Sequence, residues 1–217
     1  MNHNPYLIVD EFEARIADWA GSKYAVAVES CSAAIFLSLM YRKETWKKTE
    51  EITIPSFTYP SVPCSIIHSG CKVNFSNEKW DGEYQLKPFG IWDAALRFKK
   101  GMFRDNNKCP DVNDVLQCLS FHIKKHLPIG RGGMVLTDNK HAYEWLKKAR
   151  FDGRSAVPLL EDNFTQLGWN VYMEPSSAAR GIQLFEVLIA RYPDGMEDLK
   201  VGEQKYADLS KFPIYQQ

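Results

Sequence analysis

Polar residues with chemical potential recur at one kind of place in this sequence, the carboxyl end of a short apolar run. They are Ser30 and Ser32, Ser56 and Tyr59, Asp93, and Ser120 with Lys125 five residues further on. A lysine becomes a nucleophile and proton carrier when a partly desolvated site lowers its pKa. A serine turn that opens a helix suits an anion, because the helix dipole and the unpaired N–H groups both favour negative charge. Singly, each position has a plain structural reading: Ser32 as a helix N-cap, Asp93 as a turn or capping residue, Lys125 as one of two exposed lysines. The segment Gly130-Arg131-Gly132-Gly133 matches neither a Walker A loop nor G-x-G-x-x-G and stands before a strand, so alone it is a turn.

The elements that must position these residues follow from periodicity. Val9, Phe12, Ile16 and Trp19 recur at helical spacing and predict an amphipathic helix that Gly21 ends. Residues 24 to 28 are an apolar run of strand character, residues 30 to 32 a polar turn, and 33 to 41 a second helix. The pattern repeats with a strand at 51 to 54, a turn at 55 to 60 and a short helix that Gly70 closes. Further strands are predicted at 71 to 75, 90 to 92, 115 to 119 and 134 to 137, then helices at 141 to 151 and 176 to 191. Residues 76 to 89 and 99 to 114 have few periodic apolar positions and are predicted to be irregular. Strands alternating with helices predict an α/β fold, a three-layer α/β/α arrangement whose sheet is mainly parallel. Ligands in such a fold bind at the carboxyl ends of the strands, where the polar residues fall.

Composition narrows the class. The 217 residues carry 27 Lys+Arg against 27 Asp+Glu, and this zero balance argues against a nucleic-acid partner, which calls for a basic excess. The cysteines Cys31, Cys64, Cys71, Cys109 and Cys118 are odd in number and lack C-x-x-C spacing, so they read as reduced thiols, with no zinc or dithiol site. There is no charged-then-apolar leader and no run approaching the ~18–20 apolar residues of a membrane span, so a cytoplasmic location is expected.

The order and spacing of the polar positions resemble the DegT/DnrJ/StrS sugar aminotransferases, fold-type I pyridoxal-phosphate enzymes. Ser120-Phe121-His122-Ile123-Lys124-Lys125 followed by Gly130-Arg131-Gly132-Gly133 is similar to the family's S-F-x-x-x-K and G-E-G-G, and the register selects Lys125 over Lys124. Phe12-Glu13, Gly21-Ser22-Lys23-Tyr24-Ala25-Val26, Ser30-Cys31-Ser32-Ala33-Ala34, Pro55-Ser56-Phe57-Thr58-Tyr59, Asp93-Ala94-Ala95 and Gly168-Trp169-Asn170 resemble other family segments in the same order. Cys31, Leu96, Arg131 and Tyr172 stand where the family usually has glycine, His or Gln, glutamate and arginine.

The resemblance implies pyridoxal 5'-phosphate as cofactor and a set of roles. Lys125 would form its Schiff base and then move a proton, Asp93 would pair with the ring nitrogen, and Tyr59 would stack on the ring. The amides of Cys31 and Ser32 and the hydroxyl of Ser120 would hold the phosphate, and Asn170 would reach the phosphate of the neighbouring subunit in a homodimer with composite sites. An amino-acid donor such as glutamate and a nucleotide-linked keto sugar would be the substrates. Residues 1 to 193 would be the cofactor-binding large domain, with 194 to 217 a short tail and the family's small C-terminal domain missing or minimal. An inactive scaffold subunit paired with a full-length partner is the alternative. A dehydratase of the same family fits less well, since that branch carries histidine for the lysine and His126 is one place too late. A plain α/β module without cofactor would leave Lys125, Asp93 and Tyr59 to coincidence.

Overall fold

A computed structural model describes residues 4–46, 51–105, 111–202 and 204–216; Cys109 lies outside the described residues. The chain opens with helix α1 (Leu7–Ala20), which buries Val9, Phe12, Ile16 and Trp19 as their spacing predicts. Gly21 ends it in the left-handed region at φ 83°, its N–H closing on the carbonyls of Ala17 and Asp18. Then come β1 (Tyr24–Val28), α2 (Cys31–Trp46), β2 (Glu51–Pro55), α3 (Ser61–His68), β3 (Lys72–Ser76), β4 (Tyr84–Leu86) and β5 (Ile91–Asp93). The remaining elements are β6 (Leu116–Ser120), β7 (Gly133–Thr137), α4 (Lys140–Ala149) and α5 (Pro175–Arg191).

Five strands form one sheet in the order β1-β7-β6-β5-β4, and β2 pairs with β3. The two sheets meet where Thr53 and Lys87 exchange backbone hydrogen bonds of 2.9 and 3.1 Å. The expected mainly parallel sheet is in fact mixed. The β5–β6 and β2–β3 pairs are parallel, while β1–β7, β6–β7 and β4–β5 are antiparallel. Connection length accounts for the β4–β5 and β6–β7 pairs: parallel neighbours need a crossover of about a dozen or more residues, usually helical. Only residues 87–90 join β4 to β5, which suits a hairpin, and residues 121–132 between β6 and β7 contain no helix. Strand β4 lies within the stretch predicted to be irregular, and three residues are too few to display alternation.

The three layers follow from strand alternation. Val26 and Val28 of β1 and Val135 of β7 face the side covered by α2, α3 and α4, where Leu37, Ile66 and Leu146 complete one core. Ala25, Ala27, Met134 and Leu136 face the side covered by α1 and α5, where Phe12, Ile16, Ile182 and Phe185 form the other. Glu13 is buried beside this second core, accepting from the Ala27 N–H at 2.8 Å and from Lys147 at 2.9 Å, and pairing with Arg150. That satisfied network ties α1 to β1 and α4, so the Phe12-Glu13 pair has a structural task.

Beyond Pro193 the chain turns back along the carboxyl ends of β5 and β2. Gly195 pairs with Lys99, the Leu199 N–H donates to the Leu96 carbonyl at 2.8 Å, and the Leu209 N–H donates to the Ser56 carbonyl at 2.9 Å. The Leu209 side chain is buried.

Candidate active site

A cavity of about 620 Å³ opens at the carboxyl ends of β5 and β6, lined by Cys31, Ser32, Tyr59, Asp93, Ser120 and Lys125 among others. Six of the seven predicted site residues thus meet in one place. Asn170 does not: it lines an adjoining cleft of about 390 Å³ with Glu29, Arg131 and Tyr172. Its amide donates to Asp152 at 2.9 Å. Arg131 borders both spaces and pairs with Glu29 at 2.9 Å.

Asp93 closes β5 and is buried, with 3% of its surface exposed. Its carboxylate accepts from the Tyr84 hydroxyl at 2.9 Å and from the Ala95 N–H at 3.0 Å. Among the described residues no lysine or arginine forms an ion pair with it inside 4.0 Å. Burial holds its pKa above the usual carboxylate value, against the opposing pull of those two hydrogen bonds and of Lys125. Tyr84, in turn, bonds the Thr58 hydroxyl at 2.6 Å, and burial followed by the Asp93 charge pushes its phenol well up.

Lys125 lies on the β6–β7 connection, where its N–H donates to the His122 carbonyl at 2.8 Å. It is partly buried, whereas Lys124, which also lines the cavity, is exposed. Burial lowers the Lys125 pKa, while attraction to Asp93 and Cys31 resists the shift. His126 is buried the other way, its Nε2 2.9 Å from the Glu197 carbonyl. That contact with the tail occupies the one histidine adjacent to the lysine.

The floor near Ser32 is set by the first turn of α2. Ser30 caps it, accepting from the Ala33 N–H at 3.1 Å. The Cys31 and Ser32 amides precede the first residues that can bond within the helix, so they are available to an anion. Gly133 explains why this turn can lie against β7: a Cβ there would be 2.3 Å from the Ser30 carbonyl carbon and 2.4 Å from the Cys31 nitrogen. The Ser32 hydroxyl donates to Ser61 at 2.6 Å, at the start of α3. Ser120 ends β6 opposite Gly133 in the β6–β7 register.

The residues that depart from the family pattern find local explanations. The Cys31 thiol turns toward the Cys118 carbonyl at 3.8 Å and Asp93 at 4.0 Å, and burial, then Asp93, pushes its pKa well up. Leu96 is fully buried in the core beneath β5. Tyr172 packs edge-on against Phe151 at 5.1 Å and Tyr6 at 5.6 Å.

Sequence reasoning missed Trp80, Tyr84, Gln204 and Tyr206. Tyr84 meets Asp93 only because β4 and β5 form a hairpin, and Trp80 precedes that hairpin in the stretch read as irregular. Gln204 and Tyr206 reach the cavity from the tail.

Known proteins are similar to this chain in sequence and in fold. The DegT/DnrJ/EryC1/StrS aminotransferase family matches residues 4–91 and 105–202. The spore coat polysaccharide biosynthesis protein SpsC of Bacillus subtilis is 26% identical across 89% of this chain and 54% of its own length. The UDP-4-amino-4,6-dideoxy-N-acetyl-beta-L-altrosamine transaminase of Campylobacter jejuni is 24% identical across 83% of this chain and 57% of its own. The chain therefore spans about half the length of these curated relatives. Among solved structures, Helicobacter pylori PseC, an aminotransferase involved in the biosynthesis of pseudoaminic acid, superposes with a TM-score of 0.68 at 17% identity, over 88% of this chain and 59% of PseC. Matched over most of its length and folded as a three-layer α/β structure of fold type I, the chain belongs to the DegT/DnrJ/EryC1/StrS aminotransferase family.

Proposed function

We propose that this chain binds pyridoxal 5'-phosphate and moves an amino group from an amino acid such as glutamate to the keto group of a nucleotide-linked sugar. The observation that carries the reading is the meeting of Asp93 and Lys125 in one cavity beside the first turn of α2. A buried carboxylate without a cation inside 4.0 Å among the described residues suits a cationic ring nitrogen. The close approach permitted by Gly133 suits a phosphate, since it brings backbone amides to the cavity wall. Charge, hydrogen-bond donors and volume therefore fit the cofactor.

When bound, pyridoxal phosphate withdraws electrons from the carbon bearing the amino group and so allows a proton to leave it. Lys125 would be the amine that holds the cofactor aldehyde and, once free, would serve as the base that takes and returns that proton. Its lowered pKa makes the neutral amine available at lower pH than an exposed lysine would allow. Asp93, oriented by Tyr84 and Ala95, would hold the ring nitrogen in its protonated form. Cys31 and Ser32 amides and the Ser120 hydroxyl hold the phosphate, and Tyr59, 58% exposed at the cavity mouth, offers a ring face.

Asn170 lies beside the cavity rather than in it, which is compatible with its serving a neighbouring copy in a homodimer. The free thiols Cys31, Cys64 and Cys118 suit the reducing cytoplasm, and no described helix is long and apolar enough to cross a membrane. The scaffold reading draws no support from a cavity that keeps Lys125 and Asp93 together, and the dehydratase reading none from a histidine bonded to the tail.

Glutamate added to the cofactor-loaded protein, without acceptor, should release about one equivalent of 2-oxoglutarate per bound cofactor in a single half-reaction. Retained cofactor with no oxoacid from glutamate or any other amino donor would overturn the aminotransferase assignment.

A further inference from the structure

The C-terminal segment is pinned on both sides of the cavity mouth. On one side the Leu199 N–H bonds the Leu96 carbonyl at 2.8 Å, and Asp198 pairs with Arg97 at 2.7 Å. On the other, Asp208 bridges to Phe57, the Leu209 N–H bonds the Ser56 carbonyl at 2.9 Å, and Leu209 is buried. Between these anchors Gln204 and Tyr206 line the cavity itself.

Tyr206 stands in an aromatic series that leads to the floor. Its ring lies nearly parallel to Trp80, 16° apart at 6.4 Å, and edge-on to Tyr59 at 6.4 Å. Trp80 is fixed by donating from Nε1 to the Phe57 carbonyl at 3.0 Å and packs on Tyr84 at 4.6 Å. Tyr84 holds Asp93. The Tyr206 phenol also sits within the field of the site: burial, then Asp93 and Cys31, push its pKa up, so it stays neutral in the ordinary pH range.

We propose that Tyr206 is a positioning residue supplied by the C-terminal segment, whose ring walls the cavity with Trp80 and Tyr59 and fixes the tilt of the heteroaromatic ring bound over Asp93. This rests on the pyridoxal-phosphate reading given above. The physical basis is that aromatic faces prefer offset or edge-on contact, which restricts the orientation of a planar ligand more than its affinity. The segment thereby adds one wall of the site from the same chain that carries Asp93.

The test uses the full chain, titrated with pyridoxal phosphate, with affinity read from quenching of tryptophan fluorescence and ring orientation from visible circular dichroism of the bound cofactor. Tyr206→Phe should retain both signals, since the ring and not the hydroxyl forms the wall. Tyr206→Leu and Tyr206→Ala should weaken binding about three- to tenfold and reduce or invert the visible dichroic band. Leu209→Ala, which loosens an anchor without touching the cavity, should reduce the band in the same direction. Unchanged dichroism and affinity in Tyr206→Leu and Tyr206→Ala would overturn the proposal while leaving the cofactor reading intact, and tighter binding would overturn it by making Tyr206 an obstruction. No cofactor signal in the wild type would instead overturn the cofactor reading, and this inference with it.

Discussion

At the floor of the cavity Asp93 and Ser120 sit on paired strands, with Cys118 opposite Asp93 and Gly133 opposite Ser120 in register. At the mouth Tyr59, Gln204 and Tyr206 come from segments outside the sheet, and Tyr59 is more than half exposed. The floor side chains are held by hydrogen bonds of defined length, such as Tyr84 to Asp93, while the mouth side chains Tyr59 and Tyr206 meet their neighbours through ring contacts on segments anchored by backbone hydrogen bonds. A floor of this kind fixes charge and proton position, where small displacements are costly to chemistry. A mouth of this kind fixes shape, where each contact contributes little and tolerates change.

Substitutions should therefore separate into large effects at the floor and small ones at the mouth. Lys125→Ala should lower turnover by about 10²–10⁴-fold through loss of the proton carrier, measured as oxoacid release at saturating glutamate. A loss below tenfold would move the proton-transfer role to another residue. Asp93→Asn should lower the same rate by about 10²-fold, because a preorganised charge is lost where the ring nitrogen would be held.

Asp93→Asn also tests the electrostatics of the floor without any cofactor. Burial raises the Asp93 pKa above 3.8, so the folded chain holds that proton more tightly than the unfolded chain. Between the unfolded and folded values stability falls as pH rises, and the ionised carboxylate remains a cost above them. Asparagine carries no such cost and still accepts from Tyr84. The melting temperature of Asp93→Asn relative to wild type should therefore climb as pH is raised from about 4 and then level off. A difference that is flat with pH would mean the carboxylate is not destabilised by burial.

Gly133→Ala should cost about 1–3 kcal/mol in urea unfolding, since its Cβ would meet the backbone of Ser30 and Cys31 at 2.3 to 2.4 Å. It should weaken phosphate-dependent binding more than binding of pyridoxal lacking the phosphate. Equal loss for the two ligands would detach the α2 turn from the phosphate. Tyr59→Ala, at the mouth, should weaken pyridoxal phosphate only about two- to tenfold in a fluorescence titration. A loss comparable to that of a floor residue would break the distinction between the two regions.

The same division governs what was legible in the sequence. Floor residues are carried by short strands followed by polar turns, so Ser30, Asp93, Ser120 and Lys125 stand at fixed offsets from apolar runs. Tyr84 escaped because a three-residue strand leaves no alternation to read, and the same hairpin is one of three antiparallel pairs in a sheet expected to be mainly parallel. Tyr206 escaped for another reason: its place depends on backbone contacts of Leu199 and Leu209 made across the whole fold, and no local periodicity records them. Asn170 was found by order of motifs, yet order alone did not reveal that its side chain turns to Asp152 in the adjoining cleft.

Lys125, in the same cavity as Asp93, is proposed as the amine that holds pyridoxal phosphate. Borohydride reduction of the loaded protein followed by peptide mass spectrometry tests it most directly. One phosphopyridoxyl group is expected on Lys125 and none on the adjacent Lys124, with the label absent from Lys125→Ala. Labelling of Lys124, or of scattered surface lysines at the same yield in wild type and Lys125→Ala, would contradict it.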